Sequence, residues 1–265
     1  MARYPLAIKI ANVFVYIFLL GSNVYSGLFN RESENSPYGG KHLTYISPAP
    51  FVFGVWGLIH FLLGGFVIYQ WFGDQDLVLD GINWHFVNIT LLNTLWLALW
   101  HNDHLILSWI VILITTIPVS MIYAVIKRRD GNNINEIIWI RAPFSLYHAW
   151  ILVIAFISTF AAFANDKKND DSHPSLVVKI FVVIALLILA KLGTIGYLYK
   201  GKGDIAGSIV IAWYLYGVAV EQNDQVIHWT ALVLAIISSI VILGSVIQKI
   251  RNRHSEESTP LIGGV

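Results

Sequence analysis

Residues 105–126 read LILSWIVILITTIPVSMIYAVI, 22 positions in succession without a charged side chain. At about 1.5 Å of rise per residue, an uncharged helix of this length crosses the roughly 30 Å hydrocarbon layer of a bilayer. Working outward, the same measure marks seven further apolar runs: Ile10–Phe29, Phe51–Phe72 and Trp84–Trp100 before it, and Ala142–Phe163, Leu176–Tyr199, Ile205–Val220 and Val226–Ile250 after it. The third and seventh of the eight are short for a span. All are apolar on every face, whereas the strands of a membrane barrel alternate apolar and polar residues, so helices are predicted. The fold class expected is an all-α integral membrane protein with eight transmembrane helices.

Composition points the same way. Of 265 residues, 56% are hydrophobic and 12% charged, against roughly 25% charged in a soluble domain. That is too little charge to cover a surface in water. A net charge of +1 gives no electrostatic footprint for nucleic acid. The absence of cysteine excludes disulfides, thiol catalysis and thiolate metal sites. The first run follows Arg3 and Lys9, as a secretory signal would, but it is longer than the roughly 7–15-residue core of such signals and carries Phe14, Tyr16 and Phe18. It is read as a retained span.

Polar clusters separate the runs: Gly73-Asp74, Asn102-Asp103, residues 129–133, residues 165–171 and Gly201-Lys202-Gly203. The longest polar loop is Asn30 to Pro50. With a cytosolic amino terminus, eight spans put 11 Lys and Arg on the cytosolic side, among them Lys127, Arg128, Arg129, Arg141 and Lys249, and 5 opposite: Arg31, Lys41, Lys167, Lys168 and Lys179. Lys191 is left within a span. This is the bias of the positive-inside rule, and it places both termini in the cytosol. There the tail Glu257-Ser258-Thr259-Pro260-Leu261-Ile262 looks like an acidic dileucine sorting signal. In a eukaryote Glu257, Leu261 and Ile262 would then direct the protein to endolysosomal or vacuolar membranes through an adaptor protein. A disordered tail matching the pattern by chance is the other reading.

Three segments carry candidate binding residues. Ser47-Pro48-Ala49-Pro50-Phe51 opens the second run, with proline suited to a first helical turn. Behind it Phe53, Trp56 and His60 are spaced three and four apart and so share one helix face. In the third run Asn93 and Trp96 are three apart, and an Asn inside a span is expected to face protein or ligand rather than lipid. In the fifth, Tyr147 and Trp150 repeat the spacing.

In order and spacing these segments resemble the TspO/translocator-protein family. Ser47–His60 is similar to the proline-rich start of that family's second helix, Asn93-x-x-Trp96 to an element of its third, and Tyr147-x-x-Trp150 to one of its fifth. The remainder, including Gly203-Asp204-Ile205-Ala206 and Ala212-Trp213, is similar to the longer tryptophan-rich sensory proteins, which add helices to the five-helix core. The resemblance implies a five-helix core over 1–165, three additional helices over 166–250 and a cytosolic disordered tail over 251–265. It also implies a pocket lined by Phe53, Trp56, His60, Asn93, Trp96, Tyr147 and Trp150 and closed on one side by the loop between the first two helices. The ligands it implies are porphyrins, sterols and similar flat lipophilic molecules. No further cofactor and no metal is expected. Aromatic walls with a few orienting polar groups suit such ligands, although the same rings also serve helix packing or an interfacial belt. His60 departs from the usual aromatic residue. Ile154 and Ser158 depart from Ala and Asn, and the larger Ile narrows the pocket toward a small ligand.

Other buried-looking groups have structural readings. His60, His85, His148 and His228 are read as hydrogen-bonded rather than metal-ligating, since no His-x-x-x-His pair or carboxylate cluster accompanies them. Lys191 is read as snorkelling to the interface rather than carrying retinal. Gly203-x-x-x-Gly207 permits close helix contact, and a homodimer is one partner expectation besides the bilayer and the small lipophilic molecule. Thr115 and Thr116 suit carbonyls freed by Pro118. The function expected is ligand binding, as a sensor, scavenger or carrier, with a secondary transporter as the alternative. With no nucleophile–base set or carboxylate pair within a span, an enzyme ranks last.

Overall fold

The computed structural model describes residues 5–29, 42–129, 133–164, 174–200 and 203–257. Among the described residues the chain forms eight helical rods, a short π-helical segment at Leu77–Ile82 and no strand; the rods are α1 Pro5–Phe29, α2 Pro50–Tyr69, α3 His85–His101, α4 Leu105–Arg128, α5 Ile134–Phe163, α6 Leu176–Lys200, α7 Ile205–Glu221 and α8 Gln225–Glu257. Six are long and apolar enough to cross a membrane. The other two, α3 and α7, have 17 residues each and are the runs whose shortness the sequence marks. The molecule is an all-helical membrane protein.

The bundle is apolar outside as well as inside. Phe14, Phe61, Ile68, Ile117, Trp229 and Leu243 are each more than half exposed, which in hydrocarbon is the solvated state. Polar residues collect at the joints, where helix ends leave backbone groups unpaired. Ser175 Oγ accepts from the Val178 amide at the start of α6. Asp204 Oδ1 accepts from Gly207 at the start of α7, and Asp224 Oδ1 accepts from Val226 and Ile227 at the start of α8. Burial raises the Asp224 carboxyl, but the Lys179 ammonium 2.8 Å away and these two amides outweigh it and hold the group below its ordinary value. In α4, Thr115 and Thr116 bond the carbonyls of Val111 and Leu113. The carbonyl that the Pro118 ring leaves unpaired is instead that of Ile114, four residues back.

The central rod is α5, which packs against α2, α4 and α7 and buries Phe144, Tyr147, Trp150 and Ile154. One hydrophobic core runs from α2 to α8, so residues 166–250 share it with residues 1–165, chiefly where α7 lies on α5. Two glycines permit close approach. A Cβ at Gly217 would strike Val52 and Pro48, and one at Gly207 would strike the Tyr197 ring. Gly207, half of the small-residue pattern at the start of α7, thus serves a contact within the chain. The last helix continues to Glu257, into the stretch assigned to the tail. Leu261 and Ile262 lie outside the described residues.

Candidate functional site

The segment that opens α2 begins as a tight 3-10 turn, Pro50–Gly54, before settling into α-helix at Val55. Pro50 fits there because its missing N–H falls among donors that have no helical partner anyway. The spacing then turns Phe53 and Trp56 toward α5, with His60 on the same face of α2. The Trp56 ring stacks on His60 with centroids 5.1 Å apart, meets Trp150 edge-on at 6.0 Å and lies tilted against Tyr147 at 6.0 Å. Phe53 closes the group with an edge contact to Trp150 at 5.8 Å. Five of the seven expected lining residues therefore form one aromatic cluster between α2 and α5.

The other two stand in a neighbouring group. Asn93 and Trp96 on α3 are 1% and 3% exposed. Trp96 Nε1 donates to Ser158 Oγ on α5 at 3.3 Å, and its ring leans on Trp100 at 5.6 Å. Ser158, noted in the sequence only as a departure, is thus the link from α3 to α5. Trp100 was not singled out by sequence; its ring also meets His42 edge-on at 5.2 Å, and His42 is paired with Asp103 at 3.0 Å.

What unites the two groups is a set of buried polar atoms without a hydrogen-bond partner among the described residues: His60 Nε2, Asn93 Oδ1, Trp100 Nε1, Tyr147 OH and Trp150 Nε1. Each such atom costs about 1–3 kcal/mol relative to a paired one. The rings meanwhile touch one another, and Trp150, Tyr147 and Trp56 are at most 5% exposed. The rings close the cluster, and a guest would enter only by parting them. The structure does hold an apolar cavity of about 620 Å³, but it lies elsewhere, between α4, α5 and α6.

The loop before α2 covers this region, and α7 clamps it. Tyr214 OH donates to the Ile46 carbonyl at 2.6 Å, Gln222 Nε2 to the Ser47 carbonyl at 2.7 Å, and the Ala49 amide to the Gly217 carbonyl at 3.0 Å. Phe51 meets Trp213 edge-on. The closing loop is therefore held by one of the three additional helices, a link between distant segments that the sequence could not reveal.

A second polar cluster, also missed from sequence, joins four helices on another face of the same stretch of α5. Asp204 Oδ2 accepts from Tyr123 OH at 2.9 Å and from Ser145 Oγ, and pairs with Lys127 Nζ at 3.1 Å. His148 Nδ1 bonds Tyr197 OH and His148 Nε2 lies 3.0 Å from Ser120 Oγ, while the His148 ring stacks on Tyr123 at 4.4 Å. Tyr197 reaches His148 from a π-helical stretch, Leu192–Lys200, at the end of α6. Both nitrogens of His148 are engaged, as the structural reading of that residue expects. His228 Nδ1 likewise bonds the Ala219 carbonyl at 2.7 Å, but His60 Nε2 has no partner among the described residues. Lys191 is exposed on the outside of α6.

A multi-helix membrane bundle with an inward-turned cluster of tryptophan, tyrosine and histidine defines a helical membrane protein with an aromatic interior. The chain belongs to the family described as TSPO-like protein, whose profile matches residues 9–244, through all eight helices. Comparison with curated proteins and with solved structures finds no match.

Proposed function

We propose that this protein binds a small lipophilic molecule of tetrapyrrole, sterol or related type between α2, α3 and α5, and acts as a sensor, scavenger or carrier. One observation carries the reading. Aromatic rings of α2 and α5 form one buried cluster, Asn93 and Trp96 of α3 stand beside it in a neighbouring group, and polar atoms of His60, Asn93, Tyr147 and Trp150 have no hydrogen-bond partner among the described residues. A flat ligand inserted among the rings gains stacking area and satisfies some of those atoms. The surplus of basic residues on one side supports cytosolic termini, and the Glu257–Ile262 pattern supports a vacuolar or endolysosomal membrane in a eukaryotic cell.

The test is equilibrium binding of protoporphyrin IX and of cholesterol to the detergent-solubilised full chain, compared with Trp150→Ala and Tyr147→Phe. Loss of the Trp150 wall is expected to weaken binding several-fold, on the order of the 0.5–1.5 kcal/mol carried by an aromatic pair. Equal affinity in both variants and the unaltered protein would reject the site. The transporter reading draws on a different observation, the Lys127–Asp204 ion pair where α4 ends and α7 begins. Flux of protoporphyrin IX into liposomes, abolished by Asp204→Asn with binding retained, would favour it.

A further inference from the structure

The 620 Å³ cavity has a chemistry of its own. Ala155 on α5 and Ala185 on α6 are buried and short, and α6 packs against α7 and α8 rather than closely on α5. A crevice therefore remains between α5 and α6, walled by Phe156, Phe160, Phe163 and Phe181, with Leu113 of α4 behind. Its one polar side chain is already engaged. Thr159 Oγ1 accepts from Trp109 Nε1 at 3.0 Å and donates to the Ala155 carbonyl at 2.7 Å. The described side chains of the lining offer an occupant no hydrogen-bond donor, which favours hydrocarbon.

Length narrows the choice. The lining runs from Ala155 to Ala164 on α5 and from Val177 to Ile188 on α6, roughly 14 to 16 Å at about 1.5 Å per residue. That is about half of the ~30 Å hydrocarbon layer. It begins at the helix ends remote from Lys127 and Arg141 and stops near mid-helix. Phe181, Ile184 and Ile188 at its rim are each more than 40% exposed, so it opens sideways to the bilayer.

We propose that this crevice is a binding site for one acyl chain of a membrane phospholipid, taken from the leaflet opposite the Lys127–Arg141 end. A chain already in lipid gains nothing from leaving water. Its preference comes from contact with side chains that otherwise face a void. A sterol would bring a hydroxyl to which the described side chains of the lining donate no hydrogen bond. The site is separate from the aromatic chamber, and the proposal does not rest on the ligand reading.

Native mass spectrometry of the full chain, stripped of lipid in mild detergent and titrated with dioleoylphosphatidylcholine, tests it. The unaltered protein should form a one-lipid adduct. Ala185→Phe, which fills the crevice, and Ile184→Trp, which covers it from an exposed position, should each weaken that adduct on the order of tenfold. Leu243→Trp, on the outer face of α8, should leave it unchanged. Should Ala185→Phe not fold, Ile184→Trp decides alone. No adduct, an adduct indifferent to Ile184→Trp, or equal weakening by Leu243→Trp would overturn the site. Displacement by an equal concentration of cholesterol would overturn the acyl-chain assignment.

Discussion

Replacing Asp204 with alanine tests how the additional helices are joined to the rest. The carboxylate is 6% exposed, sits 3.1 Å from Lys127 Nζ, and accepts from Tyr123 and Ser145. Its removal strands an ammonium and two hydroxyls. Breaking a buried ion pair from one side costs roughly 3–5 kcal/mol. Lys127 keeps 24% exposure, so water screens part of that and the low end applies, about 3 kcal/mol. The lost cap adds little, because the Gly207 amide is already 3.5 Å away. In a chain of this size about 3 kcal/mol lowers the apparent Tm by about 6–12 °C. Lys127→Met in the same chain removes the stranded charge and should recover about 1–2 kcal/mol, a coupling expected only of residues in contact. Thermal unfolding in detergent of the two single variants and the double variant measures all three quantities. An Asp204→Ala shift below about 2 °C, or strictly additive variants, would refute the reasoning.

Tyr214→Phe with Gln222→Ala removes three bonds from α7 and its C-terminal end to the loop over the aromatic cluster. It should speed protease cleavage around residues 42–49 and accelerate exchange of bound protoporphyrin IX, and unchanged cleavage would show that the loop is held by other means. The Asp224 carboxyl is held below its ordinary value by Lys179 and two amides against the effect of burial, so its stabilisation is complete above the unfolded value, about pH 4, and is lost as pH falls through the lower folded value. Asp224→Asn should flatten that acid limb in pH-dependent unfolding, and an identical limb would exclude the pair as its source. Leu261→Ala with Ile262→Ala in a eukaryotic host should move the protein from endolysosomal or vacuolar membranes to the cell surface, and no redistribution would reject the sorting signal.

Helix positions were legible because the bilayer imposes a length and an all-round apolarity that a linear pattern displays. Leu105–Ile126 is expected and Leu105–Arg128 is found. Faces within one helix were legible too, since Phe53, Trp56 and His60 follow the helical period: the first two rings both meet Trp150 on α5, and His60 stacks on Trp56. Contacts between distant segments were not. Nothing near Asp204 announces Lys127, 77 positions away. Tyr197 was hidden for another reason. Its π-helical stretch adds residues to each turn, so counting from Lys191 at the α-helical period misplaces its face. Openness was equally invisible: the sequence pattern is the same whether Trp56, Tyr147 and Trp150 line a pocket or touch one another, as they do here.

The measurement closest to the central claim is a density map of the protein purified from its own membranes with the small molecules it carries. The account predicts a guest among α2, α3 and α5, with the Trp56, Tyr147 and Trp150 rings parted around it and polar atoms of that set engaged. Rings still in mutual contact, with any bound density confined to the crevice between α5 and α6, would contradict it.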